Sequence, residues 1–462
     1  MKLQFLVRTG LTDRLILMFA GWGSDERCYA HIGMPGWDVA LVSGFDGATP
    51  DFSLLTPYRT VYVYAWSLGV WAAERALPGR LEPVRAYAVN GTPWPCDDER
   101  GIPAKVFGDT AAGLSPRNLY KFRVRMCGGV SAYQAKADMF EHLQDVDALR
   151  GELEYVASHP NGKHLTWDGA YIGHDDRIFP ASNQLKAWEG RTGVHEISSP
   201  HYIDLQEIVL RTVVDVARVG KRFSRSLSTY DSHAHAQRLI AETLAKKAFG
   251  DKAASSVGTI VEIGPGTGLF TREWSKRVLL RKAVFMDLYE MPRYGIAEEE
   301  EYRCGDAEAG MQAMAEAAPA SVSAIVSASA IQWFSNLPLF FANCARVLEQ
   351  GGLIAMSSFA PGNLSELRRL REDHLQYAPA ASLREMLEPL FRDVRVVEDA
   401  VALEFTTPLE ALRHLQLTGV TVSGGKRASM SELRRFAETF PMNPRGRYTL
   451  TFRPIYILAR KG

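Results

Sequence analysis

Short apolar runs separated by polar, helix-periodic stretches recur from the N-terminus to about residue 215. They are Leu15 to Ala20, Val39 to Val42, Val61 to Tyr64, Val84 to Val89, Leu165 to Ile172 and Val194 to Ile197. Strands that alternate with helices predict a parallel sheet with crossover connections. The segment from about 100 to 158 breaks the rhythm, being helical, charged and set between two strands as an inserted lid would be. The basic stretch Arg218-Val219-Gly220-Lys221-Arg222 reads as a junction. A second α/β series begins after a helix over His233 to Lys247, with strands near 259 to 263, 283 to 287, 323 to 327 and 353 to 357. The expected organisation is therefore two α/β domains, 1–216 and 222–462.

Size agrees with that division, since 462 residues exceed what one hydrophobic core usually organises. Lys plus Arg equals Asp plus Glu at 53 each, so no global field draws the chain to nucleic acid or a membrane surface. Any charged partner is met by a local patch. The five cysteines are scattered and lack zinc-type spacing, which predicts free thiols, no metal and a cytoplasmic setting. The run Leu15 to Ala20 follows Asp13 and Arg14 without a small-residue cleavage site, and reads as a buried strand.

Candidate chemistry begins at Tyr64-Ala65-Trp66-Ser67-Leu68-Gly69-Val70, which lies between a β-like and a helix-like run as a nucleophile elbow does. A serine hydroxyl needs a histidine to take its proton, a carboxylate to orient the histidine, and donors for the oxyanion. The chain offers Ser67, then Asp176 after a strand, then His201 after the next strand, in α/β-hydrolase order. Asp98, after the Val84 to Val89 strand, is an alternative carboxylate. The oxyanion donors would be the backbone amides of Leu68 and of Trp22, in Ala20-Gly21-Trp22-Gly23. Ala65 stands where G-x-S-x-G has glycine, and its methyl is small enough for the turn.

Phe19-Ala20-Gly21-Trp22-Gly23, Ala65 to Val70, and Val89-Asn90-Gly91-Thr92-Pro93 with Gly101-Ile102-Pro103 together resemble the BioG type of pimeloyl-[acyl-carrier protein] methyl ester esterase. The resemblance covers about residues 1 to 215 and implies an α/β-hydrolase fold with a helical lid.

The second candidate is Glu262-x-Gly264-x-Gly266-x-Gly268 after a strand, where glycines permit turns that a β-carbon blocks. Asp287 ends the next strand, where an acid commonly holds ribose hydroxyls, so a dinucleotide and S-adenosylmethionine both fit. Asp306, in Gly305-Asp306-Ala307-Glu308, favours the latter because it resembles the adenine contact of class I methyltransferases.

Further segments resemble the BioC type of malonyl-[acyl-carrier protein] O-methyltransferase from about residue 222 to the end. They are Phe223-Ser224-Arg225 with Thr229-Tyr230-Asp231, Ser329-Ala330-Ile331-Gln332-Trp333-Phe334, and Phe359 to Arg368. Pro265 departs from the cysteine of that family's loop and stiffens the turn. The resemblance implies a Rossmann-like class I methyltransferase domain using S-adenosylmethionine, with an acyl-carrier protein as partner of both halves. Tyr230, Gln332, Trp333 and Arg368, with Arg369, are the candidate substrate contacts. Arg117, Lys121 and Arg125 recur at helical spacing in the lid and form a candidate docking stripe for an acidic carrier. Two other readings stay open: a general carboxylesterase joined to a small-molecule O-methyltransferase, and one domain serving only as a carrier-docking scaffold.

Overall fold

The computed structural model describes the chain apart from residues 141–144, 160–163, 215–218, 221–222, 224–229, 252–254, 368–376, 419–433, 435–436 and 439. It divides into two compact units, Met1–Leu210 and Arg211–Gly462.

The first unit is built on a seven-stranded sheet of β1 (Lys2–Val7), β2 (Arg14–Phe19), β3 (Asp38–Ser43), β4 (Thr60–Trp66), β5 (Arg85–Val89), β6 (Gly169–Gly173) and β7 (Val194–Ile197), in the order β1-β3-β2-β4-β5-β6-β7. Only β1 runs antiparallel to its neighbour. Leu15 to Phe19 of β2 and all of β4 are buried, as covering of both sheet faces requires, and this is why those strands read as unbroken apolar runs. Between β5 and β6 the chain makes a helical excursion that includes Ala104–Ala112, Pro116–Met126 and Val146–Ser158. Parallel pairing puts the loops after β2, β4, β5, β6 and β7 along one edge of the sheet, the carboxyl edge.

The second unit holds β8 (Ser255–Ile263), β9 (Val278–Asp287), β10 (Glu299–Cys304), β11 (Val322–Ala328), β12 (Leu348–Phe359), β13 (Phe391–Glu398) and β16 (Pro454–Lys461), ordered β10-β9-β8-β11-β12-β16-β13. β14 (Val401–Phe405) and β15 (Tyr448–Phe452) form a separate two-stranded ribbon that packs into one of the sheet's cores through Leu450 and Phe452. β8 to β12 pair in parallel, and β16 inserts antiparallel between β12 and β13. That insertion distinguishes the sheet from the dinucleotide-binding order, in which the sixth strand follows the fifth directly. Successive residues feed two cores: Val284 and Met286 join one cluster, Phe285 the other, and Ile354 and Ala355 divide in the same way.

Several expectations need adjustment. β1 is an extra edge strand, with Lys2 and Gln4 interrupting its apolar pattern. The strand expected over 165–172 is confined to Gly169–Gly173, and the helix expected from His233 runs over His235–Phe249. β10 and the strands after β12 were not anticipated; β10 begins with three glutamates. In the basic junction, Arg218, Lys221 and Arg222 lie outside the described residues.

Phe285 is fully buried near the carboxyl end of β9, with Tyr294 and Tyr302 ring centroids at 4.7 Å and 5.1 Å. Phe285→Ala is expected to destabilise the second unit by about 3–5 kcal/mol, read as a lower denaturant midpoint at unchanged slope. A loss below about 1 kcal/mol would mean that the site collapses around the smaller side chain.

Candidate functional site

In the first unit, Ser67 sits between the end of β4 and the helix Leu68–Ala76 with φ 59° and ψ −128°. This sparsely populated conformation costs on the order of 1–3 kcal/mol and persists only where neighbours enforce it. They do so by leaving no space. A β-carbon on Gly69 would lie 2.4 Å from the Phe19 carbonyl oxygen, and one on Gly91 would lie 2.2 Å from that of Ser67. Ser67 N–H donates to the Val89 carbonyl at 2.9 Å, tying the turn to the end of β5.

The hydroxyl Oγ of Ser67 lies 2.9 Å from His201 Nε2, and His201 Nδ1 lies 2.8 Å from Asp176 Oδ2. All three residues are buried, His201 to 1% exposure. Asp176 is itself held, because Oδ1 accepts from the Ile178 and Phe179 amides at 2.8 Å and 2.9 Å. Gln184 Nε2 donates to Oδ2 at 3.0 Å. The alternative carboxylate, Asp98, is occupied elsewhere: its Oδ1 accepts from Ala104 N–H at the start of a helix. Leu68 begins the helix after Ser67. Trp22 lies in the loop after β2, where its indole N–H donates to the Leu149 carbonyl at 3.0 Å. The Trp66 and Phe179 rings flank His201, with centroids 5.5 Å and 6.0 Å away.

In the second unit, one cavity is lined by Tyr230, Gly264, Gly266, Asp287, Asp306 and Trp333, among others. The loop glycines 264, 266 and 268 have φ of +65°, +57° and +83°. The crowding has a cause that the sequence reading did not foresee. A β-carbon on Gly264 would meet Ala330 at 2.5 Å and one on Gly268 would meet Tyr294 at 2.7 Å, so these two glycines make room for protein. Tyr294 also donates from Oη to the Gly266 carbonyl at 2.8 Å.

Glu262 is buried beneath this loop. Its Oε2 accepts from Thr271 Oγ1 at 2.7 Å and Trp274 Nε1 at 2.9 Å, while Oε1 has no partner among the described residues. Burial pushes its carboxyl up to about 8. Burial also raises Asp287 to about 6, against the opposing bonds from the Gly266 and Leu288 amides at 3.0 Å and 2.7 Å. Asp306 caps the helix Ala307–Ala317 through Glu308 N–H, a structural task alongside its place on the cavity wall. Tyr230 is on that wall, with burial raising its hydroxyl pKa. Its neighbour Asp231 accepts from Thr267 Oγ1 and from Arg272 Nη2, joining this segment to the glycine loop. Gln332 Nε2 donates to the Ser329 carbonyl at 2.6 Å, leaving Oε1 buried without a partner among the described residues. Trp333 meets Phe223 edge-on at 5.9 Å. Arg368 and Arg369 lie outside the described residues.

Gln184 and Tyr294 were missed in the sequence because each acts from a different element, with no local motif to mark it. Among the described residues there is no cluster of His, Cys, Asp or Glu able to hold a metal, and no helix long and apolar enough to cross a membrane.

Comparison with known proteins complements this geometry. Residues 1–208 match the family described as pimeloyl-ACP methyl esterase BioG, and residues 261–356 match a methyltransferase domain. A malonyl-[acyl-carrier protein] O-methyltransferase of Bacteroides fragilis is 33% identical over 465 residues, covering 98% of this chain and 94% of the relative. The chain belongs to the malonyl-[acyl-carrier protein] O-methyltransferase family, with a BioG domain at its N-terminus and a methyltransferase domain at its C-terminus. A shorter family member, from Haemophilus influenzae, is 29% identical over 256 residues, which is 54% of this chain and 96% of that one. A crystal structure of BioG from Haemophilus influenzae shares 33% identity with a TM-score of 0.41, covering 44% of this chain and 94% of that one. The second unit thus has the Rossmann-like methyltransferase fold.

The buried Glu262 makes stability depend on pH in a definite direction. Its folded pKa, about 8, exceeds the ordinary 4.5, so its contribution is complete below pH 4.5 and is lost as pH rises through 8. Glu262→Gln keeps an acceptor for Thr271 and Trp274 and removes that titration. Relative to wild type, the variant is expected to gain several kcal/mol in unfolding free energy between pH 4.5 and pH 8, measured by denaturant titration. A difference independent of pH would contradict the assignment.

Proposed function

We propose that the chain is a bifunctional enzyme of biotin synthesis. One site methylates the free carboxylate of a malonyl-[acyl-carrier protein] thioester, and the other hydrolyses the methyl ester of a pimeloyl-[acyl-carrier protein]. The observation that carries the hydrolytic half is the buried Ser67–His201–Asp176 hydrogen-bonded chain at the edge of a parallel sheet. In this reading residues 1–216 form an α/β-hydrolase domain whose excursion from about 100 to 158 is a lid, and residues 222–462 form the methyltransferase domain.

His201 takes the Ser67 proton as Oγ attacks the ester carbonyl, and returns it to the departing methoxide, which leaves as methanol. A water then enters by the same route in reverse, releasing the carboxylate and free Ser67. Asp176 keeps the imidazole oriented and stabilises its charged form, with Gln184 and two amides fixing the carboxylate. Leu68 and Trp22 amides hold the oxyanion, a contribution of about 10²–10³ in rate per donor.

S-adenosylmethionine, the cofactor of this reading, supplies an electrophilic methyl group on a sulfonium. The cavity fits it: Gly264, Gly266, Asp287 and Asp306 line it, Asp287 would accept from the ribose hydroxyls, and Glu262 beneath the loop keeps one buried oxygen without a partner among the described residues. Glu262, Gly264, Gly266 and Gly268 would hold the methionine part, Gly264 and Gly266 from the cavity wall, and Asp306 would contact the adenine. The acceptor carboxylate, with a pKa of roughly 4, arrives ionised, so no side chain needs to act as general base. Tyr230, Gln332, Trp333 and Arg368 have the task of orienting it and excluding water.

Both substrates ride on an acidic carrier in this reading. Arg117, Lys121 and Arg125 are exposed on the helix Pro116–Met126 and offer it a positive face. Such charges act mainly on encounter.

Three variants test the hydrolytic site, the first of them separating it from the methyltransferase. Ser67→Ala should abolish hydrolysis of a carrier-bound methyl ester and leave methylation of malonyl carrier within about twofold; equal turnover of free malonic acid and simple esters would instead favour a general esterase and methyltransferase. Asp176→Asn should lower kcat for hydrolysis by up to about 10⁴, the loss known for a misoriented triad histidine, whereas Asp98→Asn should cost less than about tenfold. The reverse order would displace Asp176 from the triad.

A further inference from the structure

Asn90 directly follows β5 and is fully buried, with φ +44°. Few residues other than glycine adopt a left-handed conformation, and asparagine is among those that tolerate it. Here that backbone aims a short amide into the space between two loops. Nδ2 donates to the Pro200 carbonyl at 3.0 Å and to the His201 carbonyl at 2.8 Å. Oδ1 accepts from Gly173 N–H at 2.6 Å, and Asp176 N–H in turn donates to the Gly173 carbonyl at 3.2 Å. The Asn90 main-chain N–H donates to the Tyr171 carbonyl at 2.9 Å, inside β6.

One side chain therefore joins the loop of the base to the loop of the acid. The nucleophile is joined at the same point, because Ser67 N–H bonds to Val89 and the Ser67 carbonyl presses on Gly91. The His201 carbonyl receives a second donor, Trp66 Nε1 at 3.0 Å, from the residue before Ser67. Two side chains from the strand ends on the nucleophile's side thus fix the main chain of the histidine. The task is chemically selective. It requires two donor hydrogens and one acceptor on a short planar group: aspartate lacks the donors, serine has only one, and glutamine is a methylene too long.

We propose that Asn90 is the positioning residue that holds His201 and the Asp176 loop in register with Ser67. The proposal rests on the esterase reading of the first unit. Asn90 touches none of the reacting atoms; it acts through the backbone of its neighbours.

The test normalises activity to correctly assembled sites. Asn90→Gly keeps the left-handed backbone and deletes the amide; Asn90→Asp keeps the shape and replaces two donors by an acceptor facing two carbonyls. Sites in the full-length chain are counted by stoichiometric fluorophosphonate labelling of Ser67, and kcat and KM are measured on a soluble methyl ester. The expected result is a fall of about 10²-fold in kcat per labelled site, the scale of a misplacement near 1 Å, with KM within about threefold of wild type. Wild-type kcat per labelled site in either variant overturns the proposal, whether or not the number of sites falls, and so does the absence of any labelled site in both. If the wild-type chain is neither labelled at Ser67 nor active on any methyl ester, it is the esterase reading that fails.

Discussion

The turn at Ser67 has no spare volume on either flank, and the first unit is arranged around that fact. The Phe19 and Ala20 carbonyls at the end of β2 leave no room for a side chain on Gly69, and the Ser67 carbonyl leaves none on Gly91, just beyond β5. Such contacts are possible because β2, β4 and β5 are adjacent and parallel, which brings their carboxyl ends level. With the turn wedged in this way, the strained serine cannot relax, and its Oγ stays 2.9 Å from His201. The second unit uses the same geometry for another end. Its glycine loop leaves β8 at the carboxyl edge, and Tyr294 and Ala330 close on two of the glycines.

How much of this was legible depends on whether the signal was local. The central strands were, since burial on both faces makes each an unbroken apolar run. Ser67 and the glycine loop were also legible, because each compresses its chemistry into a few consecutive residues between a strand and a helix. Asp176 against Asp98 was not, for both follow strands of the same sheet; what separates them is that Asp98 caps a helix while Asp176 faces His201. β1, β10 and the strands after β12 escaped because edge position leaves them half-buried or charged, or because they pair with partners far along the chain. The reason for Gly264 was invisible for the same cause: its constraint comes from Ala330, on another strand's loop.

The two proposed reactions are opposite operations on one kind of group. A carboxylate entering an apolar acyl tunnel carries a desolvation penalty of several kcal/mol, which methylation removes. Hydrolysis of the ester later restores the charge. If one chain houses both, as proposed, it meets a condition that neither enzyme faces alone: the esterase has to spare the short ester made by the methyltransferase half. On that reading discrimination would fall to acyl length, since a Ser-His-Asp triad by itself treats any methyl ester alike.

That condition can be tested on a single purified chain by intact-protein mass spectrometry of two loaded carriers. Given S-adenosylmethionine, malonyl carrier is expected to gain one methyl group and keep it, while carrier loaded with methyl pimelate loses one. Removal of the methyl group from the malonyl ester at a comparable rate, or retention of the pimeloyl ester, would contradict the account.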